Sequence, residues 1–282
     1  MANGRRKHSK TLSAGRPPTA HKTKAVLSAA ATRTLIRSHH RLHKELHKAT
    51  TTGDATKAQA LQQEIDKLGG LKSYQQASIL GQSKDRGGDS SIVLMQWLQE
   101  AAMDIKSANY KPRLLEVGAL STSNACSKSN LFDIERIDLN SQEVGILRQD
   151  FMQRPLPKRE SEHFEIISLS LVLNYVPDAM QRGDMLKRTC QFLKTKANAT
   201  TFPLLFIVLP APCTTNSRYL DDKRFQQIME SLGYRQVEYK QTSKLVYSLW
   251  HLVNTKSSAR FGKVEVNPGP TRNNFTIVLE TG

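Results

Sequence analysis

The segment from Leu114 to Gly118, Leu-Leu-Glu-Val-Gly, and the Asp138 that follows twenty residues after its glycine constrain the fold more than any other feature. An apolar run that ends in glycine, followed by a second run that ends in a carboxylate, predicts two strands joined by a turn around a small molecule. Gly118 has no side chain and lets the backbone pass close to that molecule. Asp138 can accept hydrogen bonds from both hydroxyls of a ribose. The pair therefore predicts a site for a ligand with an adenosyl group.

From residue 113 onward, apolar runs alternate with helical or turn segments, as parallel α/β sheets require. Helices are predicted over about 177–193 and 221–232. Seven apolar runs are predicted to be strands: 114–117, 134–139, 146–149, 164–169, 204–209, 245–253 and 275–279. The sequence thus predicts one Rossmann-like, seven-strand α/β domain over residues 113–282.

The first fifty residues are strongly basic, with twelve Lys or Arg against the single acid Glu45, in a chain of formal net charge +16. Such asymmetry favours a polyanionic partner, most often a nucleic acid, although a solvated tail and a targeting signal remain open. Residues 1–30 hold almost no large apolar side chains and are expected to be disordered. Residues 31–68 are expected to form a basic helical hairpin, because leucine and isoleucine recur there at helical spacing.

Four histidines of the first predicted helix, His39, His40, His43 and His47, include pairs spaced i, i+4. Without a supporting Cys or carboxylate, this spacing favours a polar, RNA-facing or solvated surface over a metal site, and no metal is expected. The three cysteines have no metal-ligand spacing and are expected to be reduced thiols. No apolar run is long enough for a signal peptide or a membrane span, so we expect a soluble intracellular protein.

Residues 69–112 are predicted to form a glycine-rich loop and a helix ahead of the sheet. Asp89-Ser90-Ser91 provides an N-cap for that helix. A loop placed just before the first strand could fold over a ligand. Arg86 is its predicted anion contact, with an ordinary solvated arginine as the alternative.

The turn after Gly118 argues against a dinucleotide. The fingerprint G-x-G-x-x-G, which cradles a pyrophosphate, is absent, because no glycine follows Gly118 within the next six residues. S-adenosylmethionine has no phosphate and tolerates a turn with fewer glycines. It is the predicted cofactor, and Glu116 could act through a water or order the loop around the methionine amino group.

Further polar residues follow the third and fourth predicted strands, at the sheet edge where open α/β folds bind ligands. Asp150 is predicted to accept from the adenine exocyclic amine, and the backbone amide of Phe151 to reach an adenine ring nitrogen. Ser170 is predicted to contact either the methionine part of the cofactor or the preceding loop.

Five motifs together resemble the fungal 25S ribosomal RNA adenine-N1 methyltransferase family over roughly residues 69–282. They are Leu-Leu-Glu-Val-Gly, Arg-Ile-Asp-Leu-Asn, Gln-Asp-Phe-Met, Ser-Leu-Val-Leu-Asn-Tyr-Val-Pro-Asp and the upstream Gly-Gly-Leu…Arg-Gly-Gly-Asp-Ser-Ser. The resemblance implies a class I methyltransferase fold, S-adenosylmethionine as methyl donor, ribosomal RNA or a preribosomal particle as partner, and a nucleolar location. Animal relatives are regarded as S-adenosylmethionine sensors, so a non-catalytic sensor is the alternative.

Methylation at adenine N1 makes modest chemical demands. N1 carries an available lone pair at pH 7, so positioning and desolvation can carry most of the effect without a strong base. The base must be unpaired or flipped, because N1 lies on its Watson–Crick edge. At the catalytic site, Asn174 is predicted to hydrogen-bond the exocyclic amine or N7 of the adenine, and Tyr175 to stack on the ring or line the methionine pocket. The alternative for Asn174 is local capping of the next helix.

Overall fold

A computed structural model provides the structure of this protein. It describes residues 28–70, 72–73, 76–77, 88–100, 105, 111–141, 143–194, 202–254 and 259–280. The expected disorder of residues 1–30 therefore concerns a segment that lies almost wholly outside the described residues. Only its last three residues are described, and they cap and begin a helix.

A seven-stranded sheet, in the order β3-β2-β1-β4-β5-β7-β6, forms the centre of the molecule. Its strands are β1 (Arg113–Val117), β2 (Asp133–Asp138), β3 (Leu147–Arg148), β4 (Ile166–Ser170), β5 (Leu204–Pro210), β6 (Tyr234–Gln241) and β7 (Leu245–Leu252). The first five strands run parallel, and β7 is antiparallel to both β5 and β6. This topology confirms the predicted class I, seven-strand α/β fold.

One of the seven predicted strands is wrong. Residues 275–279 form no ladder and contribute only the isolated bridge between Phe261 and Leu279. Ile277 and Leu279 are buried nonetheless, so the apolar run that suggested a strand serves the core. The seventh strand is instead β6, whose polar residues are mostly exposed because it lies at the sheet edge and has one partner strand.

Short helices connect and cover the strands. They are α3 (Ser91–Trp97), α4 (Ala125–Ser129), α5 (Ala179–Phe192), α6 (Pro212–Thr215) and α7 (Asp222–Ser231). The predictions for α5 and α7 are confirmed within two residues at either end. Asp178 and Asp221 cap them, accepting hydrogen bonds from backbone amides in their first turns.

The core has two layers because neighbouring residues of a strand point to opposite faces of the sheet. Leu115, Ile167 and Leu205 belong to one buried cluster, which packs against α5 and α7. Leu114 and Phe206 belong to the other, which packs against α3 and α4. The sheet is therefore covered on both faces, and its carboxyl edge is left for a ligand.

Two helices, α1 (Ala29–Thr51) and α2 (Ala55–Lys67), form the predicted hairpin ahead of the sheet domain. Ser28 caps α1 and Asp54 caps α2. Among the described residues, the apolar core between them consists of Leu42, Ala49, Leu61 and Ile65. Among the described residues, no helix is long and apolar enough to cross a membrane.

Candidate cofactor and base site

Gly118 forms the turn that follows β1. Its φ of 74° lies in the left-handed region, and a Cβ there would come within 2.7 Å of the Val172 side chain. The amides of Gly118 and Ala119 both donate to the Ile137 carbonyl, at 2.8 and 3.1 Å. Glycine is therefore required by the backbone and by a close neighbour, in addition to the predicted approach of a ligand.

Glu116, two residues earlier, is half-buried beside this turn, and its Oε2 atom is fully buried. Its Oε1 accepts a 2.7 Å hydrogen bond from Asn124 Nδ2, and its Oε2 lies 3.9 Å from Arg136 Nε. That Oε2 has no hydrogen-bond partner among the described residues. Burial raises the pKa of Glu116 from 4.5 to about 7, against the opposing effects of Asn124 and Arg136. Glu116 thus has an acceptor oxygen available for a donor group such as an ammonium.

Asn124 holds Glu116 in place from the start of α4. Its Oδ1 accepts from the backbone amide of Ser127 at 2.9 Å, which caps α4 and leaves its Nδ2 to donate to Glu116. Sequence reasoning did not single out Asn124. An Asn three residues before a Ser is the only local signal, and it indicates a cap without revealing the contact to β1.

The segment 88–91 is joined to the sheet edge. Asp89 Oδ1 accepts from the Ser91 amide at 2.9 Å, and its Oδ2 accepts from the Ala125 amide at 2.6 Å. Ser90 Oγ and Ser170 Oγ lie 2.7 Å apart in a hydrogen bond. The structure therefore places Ser170 against the preceding loop, one of the two roles predicted for it. Ser90 is the N-cap residue of α3 but forms no capping hydrogen bond through its side chain, and Asp89 accepts from the first amide of the helix instead. Sequence reasoning missed the bridge from Asp89 to α4.

Asp138 and Asp150 lie at the carboxyl ends of β2 and β3. Asp138 Oδ1 accepts from the Asn140 amide at 2.8 Å, and Asp150 Oδ1 accepts from the Met152 amide at the same distance. Each carboxylate is thereby oriented by a turn that it caps. Phe151 has its ring in the core against Phe192, with ring centroids 5.2 Å apart. The ring is thus structural, and the role predicted for Phe151 concerns its backbone amide alone.

Asn174 and Tyr175 lie in a tight turn after β4, in which the Tyr175 amide donates to the Val172 carbonyl at 2.9 Å. Asn174 Oδ1 is buried and has no hydrogen-bond partner among the described residues. Because Asp178 caps α5, the alternative role of Asn174 as a cap is wrong. A buried amide oxygen without a partner is costly, which suits a group that accepts from a ligand.

Arg182 of α5 fixes this turn from below. The guanidinium is 6% exposed and donates to the carbonyls of Leu173, Val176 and Pro177 at 2.9 to 3.2 Å. Its Nη1 donates to the Thr276 carbonyl at 2.7 Å. One buried side chain therefore joins the turn to the 259–280 segment. Sequence reasoning missed it, because nothing local marks an arginine in a helix as buried.

The hairpin reaches the same turn. The Tyr175 ring lies 5.4 Å from the His40 ring, edge-on, and 5.9 Å from the His43 ring. His39 is fully buried, stacked at 5.5 Å on His43. Burial, followed by the charges of the neighbouring histidines and Arg182, lowers the pKa of His40 from 6.5 to about 4. His39 is thus a packing group, and the prediction of a polar, RNA-facing or solvated surface is wrong for it. His40 and His43 are half-buried beside Tyr175.

Three further predictions concern Arg86, metal binding and the cysteines. Arg86 lies outside the described residues. Among the residues that are described, no group of three or more His, Cys, Asp or Glu could hold a metal ion. Cys126, Cys190 and Cys213 are buried free thiols, whose pKa is raised by burial.

The arrangement offers two neighbouring sets of groups at one sheet edge. Gly118, Glu116, Asp138 and Asp150 surround the ends of β1, β2 and β3. Asn174 and Tyr175 lie at the end of β4, next to β1 in the sheet. Open α/β sheets bind ligands at such a switch in strand order. An adenosyl compound on the first set would lie beside a second ligand on the other.

Comparison with known proteins points to one family. Residues 59–277 match the model of the family described as 25S rRNA (adenine(2142)-N(1))-methyltransferase, Bmt2. A Saccharomyces cerevisiae protein with the name 25S rRNA (adenine(2142)-N(1))-methyltransferase is 42% identical over 219 residues, 77% of this chain and 62% of the relative. The chain thus spans less than two thirds of that relative's length. A Schizosaccharomyces pombe 25S rRNA adenine-N(1) methyltransferase is 38% identical over 86% of this chain and 89% of its own length.

Among solved structures, the N-methyltransferase NodS from Bradyrhizobium japonicum, in complex with S-adenosyl-L-homocysteine, has a TM-score of 0.38 and 13% identity. The match covers 56% of this chain and 88% of NodS. The family model covers well over half of the chain, and both yeast relatives exceed 30% identity. This chain therefore belongs to the Bmt2 family of 25S rRNA (adenine(2142)-N(1))-methyltransferases.

Proposed function

We propose that this protein transfers a methyl group from S-adenosylmethionine to N1 of an adenine in 25S ribosomal RNA. The observation that carries the proposal is the unpartnered, buried oxygen of Asn174 at the end of β4, in a chain of this family. Only β1 separates β4 from β2, which ends at the predicted ribose acceptor Asp138. The names of the two yeast relatives support the choice of adenine N1 as the methylated atom.

The donor side is formed by β1, β2 and β3. Asp138 would accept from the ribose hydroxyls and Asp150 from the adenine amine, with Gly118 leaving room for the backbone to approach. Glu116 Oε2 would accept from the methionine ammonium, directly or through a water. A cation there favours the charged form of Glu116 and lowers the pKa that burial has raised. When bound, S-adenosylmethionine supplies an electrophilic methyl group on a sulfonium.

The acceptor side is formed by the turn after β4. Asn174 Oδ1 would accept from the exocyclic amine of a flipped adenine, and Tyr175 would stack on the base. N1 attacks with its own lone pair, so no residue has to remove a proton before the bond forms. The contribution of the chain is to orient the base and exclude water, which can account for several kcal/mol of the barrier.

The test is incubation with labelled S-adenosylmethionine and unmodified 25S RNA, followed by mass spectrometry of the nucleosides. We expect 1-methyladenosine from the wild type. We expect a loss of at least about 100-fold in kcat/KM for Asp138→Ala, since two charge-assisted hydrogen bonds to the ribose are lost.

Asp133→Ala is the matched control, because this carboxylate lies at the opposite end of the same strand with its side chain 70% exposed. It should retain wild-type activity. Cofactor binding by calorimetry without any 1-methyladenosine would overturn the proposal in favour of a non-catalytic sensor.

We also propose a nuclear, nucleolar location, where the RNA of preribosomal particles would be available. The basic first fifty residues support it. Fluorescence microscopy of the tagged full chain, beside a variant that lacks residues 1–27, tests it. An even distribution of the full chain through the cell would contradict it.

A further inference from the structure

The outward face of α1 carries a basic stripe, formed by Arg37, Arg41, Lys44 and Lys48. Their spacings of four, three and four residues place them on one side of a helix with 3.6 residues per turn. All four are exposed. Arg41 pairs with Glu45 at 3.3 Å and with Glu64 at 3.7 Å. No ion pair is formed within the described residues by the other three, so their charges are available to a partner.

The stripe lies beside the base site. His40 and His43, which contact Tyr175, come from the same turns of α1 as Arg37 and Lys44. Burial lowers the pKa of Lys44, and the charges of Arg182 and Lys263 lower it further. Lys44 of α1 is therefore repelled by Arg182 of α5 and by Lys263 of the 259–280 segment. Repulsion of this kind is relieved when an anion binds among them.

Lys263 extends the positive surface past the turn. Its Nζ lies 4.3 Å above the Tyr219 ring. The Tyr219 carbonyl accepts from Thr276, whose own carbonyl accepts from Arg182. Cations next to aromatic rings are typical of surfaces that bind single-stranded nucleic acid, where bases stack and phosphates pair with Lys or Arg.

We propose that the basic stripe of α1, together with Lys263, binds the phosphates of the RNA strand that leads the target base to Tyr175. The identity of the RNA rests on the proposed function. An RNA fits this surface better than an acidic protein does, because the stripe lies beside the turn in which the unpartnered oxygen of Asn174 is proposed to bind a base. Helix α1 lies outside the residues matched by the family model, 59–277, so this surface adds a binding element to the family's domain.

The experiment compares Lys44→Gln/Lys48→Gln with the control Arg235→Gln/Lys240→Gln. Both double variants remove two exposed positive charges. The control residues are on edge strand β6, three strands from β4 and thus about 14 Å away along the sheet. RNA affinity of the full chain for a protein-free 25S RNA fragment is measured between 50 and 300 mM salt, and methyl transfer is measured with the same RNA.

For Lys44→Gln/Lys48→Gln, we expect the slope of log affinity against log salt to become shallower by about 1.4, since each phosphate contact in a single strand contributes about 0.7. KM for RNA should rise, while kcat and the affinity for S-adenosylmethionine stay at the wild-type values. The control variant should match the wild type in slope and KM.

An unchanged salt slope in Lys44→Gln/Lys48→Gln would overturn the proposal, and so would an equal change in both double variants. Circular dichroism and the unchanged cofactor affinity show that the variant is folded. If the wild type binds the RNA but forms no 1-methyladenosine, the salt slopes still decide whether the stripe binds RNA, and the proposed function alone fails.

Discussion

The sheet domain and the helical hairpin meet at Tyr175, but they are stabilised in different ways. The sheet domain buries two large apolar clusters, one on each face of its sheet. The hairpin buries four residues between α1 and α2 and depends on its contact with the sheet domain for more. Short helices are marginal without tertiary packing. The difference indicates that the proposed cofactor site at the ends of β1, β2 and β3 is rigid. The proposed base site after β4 is rigid only while α1 packs against it.

Truncation of a buried side chain should give the largest difference in stability effect between the sheet domain and the hairpin. Phe206→Ala should lower the free energy of unfolding of the sheet domain by about 3–5 kcal/mol, because it leaves a cavity in a fully buried layer. Leu42→Ala, at an equally buried position in the hairpin, should leave the main thermal transition in place. Hydrogen exchange should show faster exchange in residues 29–67 only. A shift of the main transition by Leu42→Ala as large as that by Phe206→Ala would contradict the comparison.

A change of pH should act on the two regions in opposite directions, first through Glu116. Its pKa is about 7 in the folded chain and 4.5 ordinarily, so between these values unfolding releases a proton that the folded chain keeps. This group therefore destabilises the sheet domain as pH rises, by about 3 kcal/mol in total. In urea unfolding, Glu116→Gln should gain stability relative to the wild type between pH 5 and pH 7.5. Parallel profiles for both chains would show that Glu116 is charged when folded.

The docked hairpin should weaken on acidification through His40. Its pKa is about 4 when folded and 6.5 ordinarily, so the docked state is fully stable above pH 6.5 and loses up to about 3 kcal/mol as pH falls toward 4. His39, His43 and Arg182 add to the repulsion once His40 is charged. Energy transfer between dyes on Lys48→Cys and Lys128→Cys reports docking, and the native cysteines are buried. His40→Phe keeps a ring against Tyr175 and should remove the pH dependence.

The smallest expected effect on stability distinguishes Asn174 from Asp178, two residues of the segment between β4 and α5. Asp178→Ala removes the cap of α5 and should cost about 1 kcal/mol of stability. Asn174→Ala removes a buried oxygen that has no hydrogen-bond partner among the described residues, and it should not lower stability, because leaving such an oxygen unpaired is itself costly. The order is reversed for methyl transfer, in which we expect the larger loss from Asn174→Ala. Equal loss of activity in both variants would indicate that Asn174 acts through the turn alone.

The elements of the fold that could be predicted are those that produce a local pattern in the sequence, such as an apolar run. The runs that end at Val117 and Ser170 are mostly apolar and buried, so both the strands and the polar residues at their ends were predicted from sequence. Strand β6 was missed because an edge strand exposes polar side chains and shows no apolar run. The error at residues 275–279 has the same origin, since an apolar run reports burial and not pairing.

Sequence patterns predicted the site residues that directly follow a strand. They did not predict the contacts between residues that are far apart in the sequence. The bridge from Asp89 to α4 joins residues 36 apart, and the hydrogen bond from Ser90 to Ser170 joins residues 80 apart. No spacing in the sequence reports such contacts. The packing of His40 on Tyr175 was missed for the same reason. The histidines were assigned to a surface because they are polar.

Arg182 gives the turn that holds Asn174 and Tyr175 a mechanical link to the other end of the domain. Its guanidinium has backbone carbonyls as partners on both sides, from residues 173–177 and from Thr276. Since a carbonyl contact does not depend on the side chain of the residue that supplies it, substitution of Thr276 should leave its bond to Arg182 in place as long as the main chain keeps its course. A fusion or deletion that displaces this segment would instead move Arg182, and with it the turn that holds Asn174 and Tyr175. It would lower activity without altering any residue proposed to contact a ligand.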